Sequence, residues 1–147
     1  MRRLLPLIVV AVLSGCTAPP PDSPAPTPSA VRQGLRVKVV KLVGDFTMDP
    51  PTGQRVPELA PVHVFRGRVQ PFEKPDPKHP ALVRVVRPGK DGRFELELPP
   101  GEYTLVLEID GKLYLNNWLE DGSWAITEVK PGRWTEYSVE NVLEANF

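Results

Sequence analysis

Apolar and polar residues alternate with a period of two from Leu35 onward. Arg36-Val37-Lys38-Val39 alternates, and Val40 to Val43 continues it as a first strand. Val62-His63-Val64-Phe65 begins a second, and Ala81 to Val86 forms another with Val83 and Val85 on one face. Phe94, Leu96 and Leu98 point one way while Glu95 and Glu97 point the other, as the pleat requires. Tyr103, Leu105, Leu107 and Ile109 share a face. Leu113-Tyr114-Leu115 is short, and Ile126 with Val129 marks another short strand. The last run, Trp134 to Phe147, sets Tyr137, Val139, Leu143, Ala145 and Phe147 on one face. Asn141 falls on that face too, so a bulge or a local side-chain hydrogen bond is expected there. Asp91-Gly92, Asp110-Gly111 and Asp121-Gly122 are hairpin dipeptides, and Pro88-Gly89, Pro100-Gly101 and Pro131-Gly132 mark further turns. No stretch has a helical period. Seven or so short strands at this spacing predict an all-β fold over 35–147, a single antiparallel β-sandwich or a small barrel.

Residues 1–34 have a different texture. Arg2 and Arg3 precede an apolar run from Leu4 to Leu13. That run is shorter than the roughly 20 residues needed to cross a bilayer, and the pattern is that of a secretory signal. It ends in Leu13-Ser14-Gly15-Cys16, which resembles the lipobox of bacterial lipoproteins at every position. The resemblance implies cleavage between Gly15 and Cys16 and a diacylglycerol thioether on the Cys16 sulfur. Each buried methylene contributes about 0.8 kcal/mol, so two or three acyl chains would anchor the chain where one would hold it only marginally. Thr17 follows the cysteine. In two-membrane bacteria an Asp there marks inner-membrane retention, so Thr17 points to the outer membrane. In a one-membrane cell the same chain would sit on the outer face of the plasma membrane. From Thr17 to Ala30 prolines stand at 19, 20, 21, 24, 26 and 28 with no apolar period, which predicts a disordered, extended tether over 16–34.

Composition narrows the function classes. The chain has 147 residues, room for one ordinary domain. Its 18 Lys+Arg balance 18 Asp+Glu, and loss of Arg2 and Arg3 would leave it slightly acidic, which argues against nucleic-acid binding. One cysteine excludes an intrachain disulfide and any multi-cysteine metal site.

The run Asp91-Gly92-Arg93-Phe94-Glu95-Leu96-Glu97-Leu98-Pro99-Pro100-Gly101-Glu102-Tyr103-Thr104-Leu105 resembles the carboxypeptidase regulatory-like domains, which share a transthyretin-like (prealbumin-like) β-sandwich. Their pattern is a "DG.F" turn, an alternating strand, then "PPG.Y.L", with the tyrosine re-entering the core. Asp110-Gly111-Lys112, the closing strand and, more loosely, Pro61-Val62-His63-Val64 are similar. The resemblance implies a non-catalytic accessory module of secreted and envelope proteins, with no catalytic residues to transfer. Two long polar stretches, Asp45 to Ala60 and Gln70 to Pro80, depart from the family and are read as loops.

Candidate chemistry is sparse. His63 and His79 lack the paired spacing of a zinc site. Asp91, Asp110 and Asp121 are explained by their turns, Glu95 and Glu97 by a solvated face. No nucleophile elbow occurs. No enzyme activity, cofactor or metal is expected. The aromatic set is the exception: Tyr114, Asn116, Asn117, Trp118, Trp124 and Trp134 cluster late in the chain. The tryptophans are read first as caps on the open ends of the sandwich. An exposed Trp118–Trp124 platform beside the amides would instead bind a glycan or a peptide. The expected function is a lipid-anchored envelope lipoprotein presenting a binding or structural module. The alternatives are a carbohydrate- or peptide-binding accessory protein using 114–124, or a periplasmic inhibitor projecting a long loop.

Overall fold

The computed structural model describes residues 32–147; the leader, Gly15, Cys16 and the tether as far as residue 31 lie outside the described residues. The described chain is all-β, without a helix. Nine strands follow in order: β1 Gly34–Asp45, β2 Gln54–Pro57, β3 Val62–Arg66, β4 Leu82–Val86, β5 Arg93–Glu97, β6 Gly101–Ile109, β7 Lys112–Tyr114, β8 Thr127–Val129 and β9 Trp134–Asn146.

They form two sheets and no closed barrel. In the first, β1 is central: β5 and β2 share one of its sides end to end, and β9 lines the other. In the second, β4-β3-β6-β7 is antiparallel throughout, with β8 beside the start of β6. The antiparallel expectation therefore fails at one place: β1 and β9 run parallel from Gly34↔Trp134 to Asp45↔Asn146. The count is nine against the seven or so expected, and the strand that no run announced is Gln54–Pro57, which pairs with Val40–Val43 inside the stretch read as a polar loop. Its residues are mostly exposed, so burial left no alternation there to see.

One apolar cluster draws on both sheets: Leu35, Val37, Val39, Leu96 and Val139 from the first, Val62, Val64, Leu105, Leu107 and Val129 from the second. Tyr103 joins it beside Leu105, as its spacing required, and its hydroxyl donates to the Pro99 carbonyl at 2.7 Å. Only one of the expected hairpin dipeptides joins neighbouring strands: Asp110-Gly111 links β6 to β7. Asp121-Gly122 closes a small bridge between Trp118 and Trp124. Asp91-Gly92 passes the chain from the second sheet to the first.

Two strands depart from their predicted faces, each at an irregularity. Asn141 is buried, and β9 carries an extra residue there: Lys41 pairs with Asn141 but Val43 with Glu144. The Asn141 side chain accepts the Leu143 N–H at 3.1 Å and donates to Glu58 at 2.8 Å. Both expected remedies are thus present. The bulge also ends the predicted face, leaving Leu143 59% and Phe147 74% exposed and Ala145 half-buried. In β4 a bulge leaves Val83 unpaired, Val83 and Val85 are exposed, and Leu82 and Val86 pack on the core instead.

Candidate functional site

In β3 all four residues from Val62 to Phe65 are buried, so both faces of the second sheet are covered. Val62 and Val64 lie in register with Leu107 and Leu105; His63 and Phe65 share the opposite face with Val106 and Thr104. What covers that second face is the proline-rich stretch 70–80. Phe72 and the His79 ring each meet Phe65 edge-on, at 5.8 and 5.2 Å, and stack on one another at 5.1 Å. The His79 Nδ1 accepts the Ala81 N–H at 3.1 Å, which fixes that ring. The stretch is therefore a folded lid of aromatic rings, not a free loop.

The first part of the lid is tied down by backbone bonds. The Val69 carbonyl accepts the Trp124 N–H and the Glu73 carbonyl accepts the Leu113 N–H. Lys112 donates to the Glu73 carboxylate at 2.6 Å, holding the carboxyl below its ordinary range and the ammonium above its own. Below Phe65, His63 donates or accepts through Nε2 at 2.7 Å from Glu108, while its Nδ1 is buried with no hydrogen-bond partner.

Where the lid meets β7 and the Trp118–Trp124 bridge, a groove of about 360 Å³ opens, lined by Pro71, Phe72, Leu113, Tyr114, Trp118 and Trp124 among others. Trp124 is only 3% exposed and packs on Phe72 at 5.6 Å, whereas Trp118 is 55% exposed. The turn beneath them is set by Asp121. Its Oδ1 accepts both the Ser123 hydroxyl and the Ser123 N–H, and these bonds, with Arg68 at 3.5 Å from Oδ2, hold the carboxyl below its ordinary value.

The structure thus divides the predicted set. Tyr114, Trp118 and Trp124 line this groove, with Trp124 as its buried wall and Trp118 as its exposed lip. Asn116 and Asn117 instead line a separate depression of about 190 Å³ with Tyr137, Ser138 and Glu140. Trp134 is elsewhere, under the Arg36 guanidinium at 5.3 Å. The two rings do not form an exposed platform, since one is buried and the other exposed. Sequence reading missed Pro71 and Phe72, whose signal was a lone aromatic in a stretch otherwise too polar to need one. Among the described residues no three His, Cys, Asp or Glu side chains converge as a metal site, and no helix is long and apolar enough to cross a membrane.

Compared with known proteins, the chain matches no protein-family model, no curated protein and no solved structure.

Proposed function

We propose that this chain is a lipid-anchored envelope lipoprotein whose 35–147 domain is a non-catalytic binding module, and that the Trp118 groove is where it binds. The observation that carries the reading is the half-exposed Trp118 ring beside a groove walled by Phe72, Leu113 and Trp124. A ring kept in water next to apolar walls gains most when a ligand desolvates it. The flat, polar-edged face of a sugar ring suits that geometry, because it can stack on the exposed Trp118 ring against the apolar wall. The transthyretin-like sandwich of carboxypeptidase regulatory-like domains remains part of this reading. It is supported by the 91–105 run and by two sheets that share one core. The anchor is supported by Leu13-Ser14-Gly15-Cys16 and the proline-rich spacer, with Thr17 favouring the outer membrane.

Tryptophan fluorescence titrated with cell-wall and polysaccharide fragments tests the groove. Saturable quenching that Trp118→Ala abolishes is expected; an unchanged spectrum with every fragment counts against it. Labelling cells with a radioactive fatty acid tests the anchor separately: label is expected on the wild-type chain and absent from Cys16→Ser.

A further inference from the structure

The outward face of the first sheet is an ionic ladder with one broken rung. Arg32 pairs with Glu97 at 2.5 Å, Arg36 with Glu95 at 2.9 Å and with Glu136 at 3.7 Å, and Arg55 with Glu140 at 2.7 Å. Lys38 and Arg93 break the pattern. They stand directly opposite one another on β1 and β5, both exposed, and neither forms an ion pair among the described residues. Directly opposed residues have Cβ atoms about 4.5–5.5 Å apart, and like charges so placed repel. On the far side of β1 the register puts Ser138 beside Lys38, between Glu136 and Glu140, each of which carries an ion pair. The row Arg93–Lys38–Ser138 thus holds two cations and a hydroxyl, while the next row, Glu95–Arg36–Glu136, is already compensated. The nearest acid, Asp91, turns its Oδ1 to the Arg93 N–H at 3.1 Å to fix the turn. Lys38 and Arg93 also line a depression of about 510 Å³, together with Arg36 and the acids Asp91, Glu95 and Glu136, of which Glu95 and Glu136 are paired with Arg36.

We propose that Lys38 and Arg93 form an anion site for a phosphate group, which the guanidinium fork and the ammonium hold in the place of the missing carboxylate. This site is separate from the Trp118 groove and stands or falls without it. A phosphate there could be free or could belong to a phosphodiester headgroup, and the chemistry of recognition is shared.

The test takes the full chain in non-ionic detergent and titrates inorganic phosphate against chloride at matched ionic strength. Thermal unfolding and the amide resonances of residues 36–38 and 91–95 are the readouts. Wild type should show saturable, local shifts and a raised melting temperature in phosphate, with affinity about tenfold weaker in Arg93→Gln. Lys38→Glu should melt about 1–4 °C higher than wild type in chloride, because it pairs with Arg93, and should lose the phosphate response. Repeating the titration with glycerophosphoglycerol separates the sources. Saturation by it as well assigns a diester headgroup, and saturation by phosphate alone assigns free phosphate or a monoester. Shifts no larger in phosphate than in chloride, or equal in wild type and Arg93→Gln, overturn the proposal.

Discussion

At the scale of single residues, the turns carry the most specific constraints. Gly92 is buried with φ +73°, and its carbonyl accepts the Val39 N–H at 2.7 Å. A Cβ built there would lie 2.5 Å from the Val39 carbonyl oxygen and 3.2 Å from Pro57. Backbone surrounds the position, so the neighbours cannot yield as a flexible side chain would. Gly92→Ala should therefore lose about 1–3 kcal/mol from the left-handed conformation alone, with the clash added to it. Urea unfolding measures the loss; a variant as stable as wild type would show that the 91–92 turn does not lock β1. Asp121 makes a prediction about pH. Its folded-state carboxyl sits below the ordinary value of 3.8 because it accepts from Ser123. A lowered folded value means stability is present above the ordinary value and is withdrawn as pH falls through the folded one. Acidification should thus loosen the turn under Trp118 and shift tryptophan emission to the red. In Asp121→Asn the part of that shift due to this carboxyl should be missing, and identical acid profiles for the two proteins would refute the assignment.

At the scale of elements, the lid over β3 is the feature that changes the reading of the sequence. The run His63-Val64-Phe65 looked like half of an alternating strand, and Phe65 on its polar-side register had no partner until Phe72 and His79 were seen above it. Period-two patterning reports which residues are buried from one side; it is silent about a face covered by an irregular segment. Truncating Phe72 to Ala removes the ring that touches Phe65, His79 and Trp124 together. Because the ring is half-buried, a loss of about 2–3 kcal/mol is expected, below that of a fully buried phenylalanine. Hydrogen exchange would localise it: amides at Leu113 and Trp124, which donate to the Glu73 and Val69 carbonyls on either side of Phe72, should exchange faster, while β1 and β9 keep their protection. Uniform loss of protection would mean that the lid is inseparable from the core. In the groove itself, Tyr114, Trp118 and Trp124 were legible as an aromatic set, and the amides of Asn116 and Asn117 fall in the neighbouring depression because 115–117 leaves the strand, where alternation no longer fixes the side.

At the scale of the molecule, alternation located the strands but could not say which strand neighbours which. Hairpin dipeptides biased the expectation toward antiparallel neighbours, and that bias succeeded at Asp110-Gly111, where the chain turns straight back. It failed for β1 and β9, the first and last described strands, since nothing local can encode a parallel pairing between segments a hundred residues apart. Yet that pairing organises the first sheet. β9 supplies Val139 and Asn141 to the buried side and Glu136 and Glu140 to the ladder that meets Arg36 and Arg55, while past the bulge Glu144 pairs with Lys41. The ladder pairs are exposed and individually contribute little, so the hydrogen-bonded register and Val139 must hold the strand. This ranking can be tested by two variants. Replacing Glu136, Glu140 and Glu144 together by Gln should lower stability by no more than about 1–2 kcal/mol. Ending the chain after Arg133 removes every β9 partner of β1, leaves the central strand with an open edge and strips Val139 and Tyr137 from the core, so the described domain should fail to fold cooperatively. Circular dichroism through a thermal scan separates the cases: a preserved single transition for the triple glutamine variant and none for the truncated chain. If the shortened chain still melted sharply, the core would be held by the second sheet and its lid alone, and the parallel pair would be an addition to the fold instead of its closure.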